Sequence, residues 1–514
     1  MRLATLDSPT RSACETAWAR GEGSVVFAVE AADLLTPVAA YMRLSAMEGD
    51  EGRNTLLLES VEGGASRGRY SVIALKPDLL WRCHDGKASI NRNAATNLDT
   101  FERVQEKPLD NLRTLIRESR LPLIESLPPM TAGLFGYLGY DMVRQMENLP
   151  NAPADDLELP EAILMRPGLF AIFDTVTDEL ILAAPIRPRS DDHPDAAFDR
   201  AHALIEEART CLAAPLKIAP EPPVSALETP TSTYTEAEFE DVVRRIQDYI
   251  AAGDAFQVVP SQRFSTPFEL SSLALYRSLR RINPAPFLFH LNLGAFSLVG
   301  SSPEILVRLR EGKMTVRPLA GTRPRGATPE EDQRLEEELL ADEKERAEHL
   351  MLIDLGRNDV GRVSITGSVK VTEKFVIERF SHVMHISSNV EGELKPDLEA
   401  LDALVAAFPA GTLTGAPKIR AMEIIDEVER TRRATYAGCV GYFGAGGDMD
   451  TCIGLRMAVV KDGAMYVQAG CGVVADSVPS LECAETHHKA RALFRAAEDA
   501  VRLASRNRSD AQGT

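Results

Sequence analysis

Short apolar runs closed off by glycine and charge, with no steady strand–helix alternation, limit what this chain can fold into. VVFAVEA, NTLLLES, RYSVIAL and DLLWRCH read as strands between residues 24 and 90, with a helical stretch around 34–47. AGLFGYLGYDMV, at 132–143, fits a tightly packed strand or turn. LFAIFDTVTDELILAAPI, at 169–186, fits a hairpin turning near Thr177 and Asp178, and an amphipathic helix follows at 195–213. Residues 214–232 hold five prolines and no periodicity, which suits a linker. The expected division is an N-terminal domain (20–213), this linker, a larger domain (233–505) and a disordered tail (506–514). Past the linker, Thr235 and Glu238 make a capping box for a helix with the stripe Phe239, Val242, Val243, Ile246 and Ile250, stopped at Gly253. AFQVVPSQRF reads as a strand, and further helices are expected at 329–357, 398–407, 416–429 and 479–504. Blocks of strands broken by a few long helices predict an α+β layered fold rather than a doubly wound βαβ one.

Charge narrows the partners. A formal charge of −19 argues against nucleic acid and acidic membranes, so any anionic ligand needs local cations, a metal or helix N-termini. No run approaches the roughly 18 apolar residues of a membrane span, and the N-terminus lacks the apolar core of a secretory signal. Seven cysteines without CxxC or framework spacing read as reduced thiols in a cytoplasm.

Within 342–362, Asp342 suits a helix N-cap with Glu345 three residues on. Glu345, Glu348, Leu352 and Leu355 share one helical face, so two carboxylates ride on the apolar stripe. A second helix repeats the pattern: Glu482, Glu485 and Lys489 fall at i, i+3 and i+7. Four carboxylates suit a hard divalent ion such as Mg²⁺, and equally two solvated faces paired to neighbouring bases. In TLTGAPKIR, Ala416-Pro417 opens a helix whose N–H groups and Lys418 could meet an anion, or which is a plain helix start. Gly470 and Gly472 allow close backbone approach to a ligand, or a bulge. His385 and Ser387 share one strand face, with Met384 and Ile386 on the other. Arg456, in an apolar strand, wants a carboxylate partner from the protein or a ligand.

Taken in order, FQVVPSQRF, GSSPEIL, RPLAGTRPRG, DEKERAEHLMLIDLGRNDVGRV, HVMHISSNVEGEL, AFPAGTLTGAPKIRAMEII, YAGCVGYFGAGGDMDTCIGLRMAVV and GCGVVADSVPSLECAETHHKA resemble the chorismate-utilising enzymes, and among them the large subunits (component I) of anthranilate synthases. These pieces cover most of 235–495; LLLES, RYSVIAL and GLFGYLGYD match the N-terminal third more thinly. The resemblance implies a large α/β sandwich of stacked antiparallel sheets flanked by helices. It implies Mg²⁺ on Glu348 and Glu485, with Glu345 and Glu482 in the same cluster. Chorismate would meet Gly321, Thr322, Gly470, Gly472 and Lys489, with Tyr436 and Arg456 on its enolpyruvyl carboxylate. Glu304 would protonate the departing hydroxyl, and His385 would assist pyruvate elimination with Thr412 close by.

Two absences select among the relatives. Those that add water carry a lysine base where this chain has Gln257, and Gln accepts no proton at neutral pH. The para-aminobenzoate branch carries a lysine nucleophile at the position of Ala320, which argues against 4-amino-4-deoxychorismate synthase. An intact set of polar residues argues against a silent tryptophan-sensing subunit. No cysteine sits in a nucleophile-elbow setting, so the resemblance implies ammonia from a separate glutamine amidotransferase subunit in a hetero-oligomer. It also implies a feedback pocket for L-tryptophan from Glu59, Ser60, the backbone of Pro286, Phe287 and Leu288, and Val440 with Tyr442. The usual NPSPYM is changed here at Ala285, Phe287 and Leu288.

Overall fold

Alternating apolar residues resolve into antiparallel pairing. The computed structural model describes residues 8–49, 52–62, 66–125, 127–190, 192–224, 226–380 and 383–512, and within them 21 strands join in one hydrogen-bonded network. Strand Ser24–Ala31 pairs with Glu179–Ile186, and Ser66–His84 lies between Thr55–Glu62 and Ala162–Asp174. Phe287–Asn292 lies between Thr55–Glu62 and Ser297–Ser302, and Cys439–Gly444 pairs with Gly133–Leu138. The last two sets join chain on either side of the proline-rich stretch, so residues before and after it share one sheet.

Three cores explain the layers. One is lined by strands and loops alone, with Val25, Leu56, Val72, Phe135, Phe170, Phe289, Leu298, Val440 and Val459 packed face to face. On one outer side Tyr41, Ile205, Leu279 and Leu493 from four helices cover Ile73, Leu169 and Leu182. On the other, Leu115, Ile353, Val360 and Leu404 from three helices cover Leu79, Leu164 and Val316. Stacked antiparallel sheets flanked by helices is the predicted class.

Boundaries differ from the sequence reading for local reasons. The helix expected over 329–357 is two, Pro329–Ala341 and Glu343–Val363. The break is Asp342, whose backbone is extended (φ −68°, ψ 110°) and whose carboxylate accepts from the N–H groups of Lys344 and Glu345. The reciprocal half of the capping box is not made: Arg323 Nη1 donates to Glu345 Oε1 at 3.4 Å instead. Pro260 interrupts AFQVVPSQRF, giving Gln257–Val258, which pairs with Gly415–Ala416, and Ser261–Pro267. The last helix runs Pro479–Gln512, past the expected end at 504 and over most of the expected tail; residues 513–514 lie outside the described part.

Candidate active site

A bulge orients the histidine. Strand Leu319–Pro324 pairs with Val383–Glu393, and the register shifts between Ala320 and Thr322, so Gly321 is the extra residue, at φ 64°. A Cβ there would lie 3.1 Å from Leu339 and 3.2 Å from Glu345 Oε2, so both backbone angle and crowding call for glycine. Its carbonyl lies 3.0 Å from His385 Nδ1, with Thr322 Oγ1 at 3.1 Å. Burial, then the charge of Arg456, holds the His385 pKa down to about 4, so the ring is neutral near pH 7. A carbonyl only accepts, so Nδ1 carries the proton and Nε2 presents a lone pair. Nε2 is buried and has no hydrogen-bond partner among the described residues.

Glu304 follows strand Ser297–Ser302 and is only 7 % exposed. Its carboxyl accepts from Thr412 Oγ1 at 3.2 Å and the Leu319 N–H at 3.4 Å. Burial pushes its pKa up to about 8 against those hydrogen bonds and the charge of Arg456. It therefore keeps a proton near neutral pH. Arg456 stands at φ 49°, and burial lowers its pKa while Glu304 opposes that shift. Among the described residues it forms no ion pair. An acid that holds its proton, a base that has none and an unpaired cation thus share one region.

The acidic helices meet beside it. Gln257 Nε2 donates to Glu348 Oε1 at 3.2 Å, and a Cβ on Gly472 would lie 2.7 Å from that nitrogen and 3.9 Å from the same carboxylate oxygen. Burial raises the pKa of Glu348, followed by the charges of Glu345 and Glu485. Burial likewise raises Glu345 and Glu482, the latter also feeling Glu485. Among the described residues, no hydrogen bond reaches the buried Glu482 Oε2 or Gln257 Oε1. Lys489 Nζ lies 2.6 Å from Glu485 Oε1 and donates to the Gly470 carbonyl at 2.9 Å. Gly470 is also pressed by Tyr436, whose hydroxyl would lie 2.9 Å from a Cβ there. Among the described residues no three acidic, histidine or cysteine side chains stand close enough to hold a metal as they are. The donors still suit a hard cation: all are carboxylate oxygens of like charge, Glu345, Glu348 and Glu482 half-buried, with Glu345 reached by Arg323 and Glu485 by Lys489.

Some expectations resolve differently. Lys418 is engaged by Asp359 at 3.0 Å and by the Ala407 carbonyl, so it is no free cation at its helix start. Two residues of this region went unread, Glu429 and Arg433. They form a buried pair 2.6 Å apart, and Arg433 also donates to the carbonyls of Leu413 and Val259, tying the Thr412 turn to the segment after Gln257. Their i, i+4 spacing is the signal that sequence offered.

The residues expected to hold an effector divide between two faces of the sheet. Glu59 and Leu288 are directly paired and face helix Ser272–Ile282, where Arg280 Nε (2.6 Å) and the Tyr276 hydroxyl donate to Glu59. Val440 and Tyr442 line the strand-only core, and Phe287 packs against it. Ser60 sits where the register of its pairing shifts, between Glu59 and Val61, against Gly68. Pro286 immediately precedes strand Phe287–Asn292.

The chain is similar to known proteins along most of its length. The chorismate binding enzyme family matches residues 63–495. Anthranilate synthase component 1 of Cereibacter sphaeroides is 52 % identical over 96 % of this chain and 98 % of its own length; that of Pseudomonas aeruginosa is 47 % identical over 90 % and 93 %. The crystal structure of anthranilate synthase component I from Streptococcus pneumoniae superposes with a TM-score of 0.73 at 35 % identity, over 90 % of this chain and 98 % of that one. The menaquinone-specific isochorismate synthase of Escherichia coli shares the fold alone, at 17 % identity and a TM-score of 0.69 over 92 % and 94 %. From this match along most of its length, the chain belongs to the chorismate binding enzyme family.

Proposed function

We propose that the chain is the chorismate-aminating component of an anthranilate synthase, a Mg²⁺-dependent cytoplasmic enzyme that forms anthranilate and pyruvate from chorismate and ammonia. The ammonia comes from a separate glutamine amidotransferase subunit, and L-tryptophan inhibits. The observation that carries the reading is Gln257 donating to Glu348 inside the acidic site. At that position an amide cannot strip a proton from water, and ammonia needs no such help. The names of relatives close to half identical over nearly their whole length support it.

The roles follow from protonation. Glu304, protonated near pH 7 and fixed by Thr412, delivers a proton to the hydroxyl leaving C4. His385 Nε2 accepts the proton lost as pyruvate is eliminated, its ring held by the Gly321 carbonyl beside Thr322. Arg456, which has no ion-pair partner among the described residues, holds the enolpyruvyl carboxylate with Tyr436. Lys489 and the backbone of Gly470 and Gly472 border the ring carboxylate. Glu348 and Glu485 would hold Mg²⁺, with Glu345 and Glu482 behind them; when bound, the ion supplies Lewis acidity to a substrate carboxylate.

The test is direct. The purified chain with chorismate, Mg²⁺ and ammonium at mildly alkaline pH should release fluorescent anthranilate and equimolar pyruvate, and with glutamine alone should release neither. Accumulation of an amino-deoxychorismate without pyruvate would overturn the reading.

A further inference from the structure

Three arginines surround a single carboxylate on elements that carry none of the candidate catalytic or metal-binding residues. Asp78 lies in strand Ser66–His84 where its pairing with Ala162–Asp174 shifts register, between Pro77 and Leu79, so Asp78 is the extra residue of a bulge. Arg166, directly across at Leu79, grips it side-on, Nε to Oδ1 at 2.6 Å and Nη2 to Oδ2 at 2.9 Å. Arg189 Nη2 donates to the same Oδ2 at 2.9 Å from the surface, with 42 % of its side chain exposed. Between these two, Arg187 feels the charges of Arg166, Asp78 and Arg189. Its Nε and Nη2 are buried and have no acceptor among the described residues. A Cβ on Gly23 would come within 3.6 Å of its stem.

The chemistry of the unfilled edge is specific. Nε and Nη2 form the side-on fork of a guanidinium, the same edge by which Arg166 holds a carboxylate. A buried cation with no acceptor is costly, and among the described residues three guanidiniums meet the one carboxylate of Asp78, Asp192 near Arg189 being paired to Arg200, which leaves an excess of +2 in a chain of −19. We infer that the Arg166–Arg187–Arg189 cluster is a binding site for a dianionic oxyanion of the phosphate class, seated on the free fork of Arg187 with Arg189 as its outer contact. Phosphate presents paired acceptor oxygens at fork spacing, and at neutral pH its charge balances the cluster, which one carboxylate would not.

Thermal unfolding and calorimetry of the full chain test this with inorganic phosphate against potassium chloride at matched ionic strength, with glycerol phosphate in a parallel arm. Wild type should be stabilised by phosphate beyond the chloride control and bind one per chain. Arg187→Met, which keeps the stem, should lose that response while converting chorismate normally. Arg189→Gln, a surface change, should weaken binding roughly tenfold, the scale of one lost charged hydrogen bond. Binding of the ester as tightly as of phosphate would mark a phosphorylated metabolite as occupant; phosphate alone would mark the free ion, and both support the site. A stabilisation no larger than in chloride, or one equal in wild type and both variants, would overturn it.

Discussion

Glu59, on strand Thr55–Glu62, and Glu304, just past strand Ser297–Ser302, are both buried acids, and they have been treated in opposite ways. Glu59, 6 % exposed, receives two donors from Arg280 and one from Tyr276. Glu304, 7 % exposed, receives a hydroxyl and a distant N–H and keeps its proton. A carboxylate that exists to hold strands and helices together is given its countercharge by the fold. One that is to exchange a proton or a ligand is left short, because full neutralisation would fix its protonation state. Glu348, which among the described residues receives only the Gln257 amide, belongs with Glu304, and Arg456 is the same shortage with the sign reversed.

Substitutions can break that contrast. The largest effect is expected for Glu304→Gln: turnover should fall roughly 10²–10⁴-fold, as for loss of a general acid. Its stability should move the other way. The folded pKa of about 8 lies above the ordinary value of about 4.3, so wild type loses stability as pH rises between them and glutamine does not. Melting temperatures of the two proteins should therefore diverge above pH 5 in favour of the variant, and parallel curves would mean that Glu304 is ionised throughout. In wild type, at a fixed concentration of free ammonia, the rate should decline above about pH 8. Next is Glu348→Gln, expected to lose about a hundredfold or more in Mg²⁺-dependent activity with the fold intact and melting no lower than wild type, and to mimic chelation of wild type. Near-normal activity would return that helix to a salt-bridged surface. Glu59→Ala should do the reverse, costing about 3 kcal/mol of stability by stranding Arg280 and Tyr276, with turnover per folded molecule intact. Ser60→Ala should change stability by less than about 0.5 kcal/mol and show only as a displaced tryptophan inhibition curve; superimposable curves would remove Ser60 from the effector site.

Much of the architecture was legible because period and punctuation are local. The stripe Phe239, Val243 and Ile246 is buried under its capping box, and Asp178 takes the positive φ of the predicted hairpin turn. His385 faces Thr322 while Met384 and Ile386 bury beside Leu339, as strict alternation requires. What stayed hidden depends on contacts distant in sequence. Nothing near Glu345 announces Arg323, which takes the carboxylate that the capping box would have used. Lys418 reads as an anion-binding cation until Asp359 is brought to it. The site residues were named through resemblance rather than spacing; their protonation states were beyond both, since these follow from burial.

The pairing of strands from opposite ends of the chain has one more consequence. Glu59 stands opposite Leu288, Leu288 opposite Ser301, and the Ser301 N–H donates to the Arg456 carbonyl at 3.1 Å. Four residues spread over nearly four hundred positions are thus consecutive rungs of one ladder. Chain order is the wrong ruler for this molecule. Counted in rungs, Glu59, the chain neighbour of Ser60, stands three steps from Arg456, so the effector candidates and the candidate active site are joined by one row of backbone pairing.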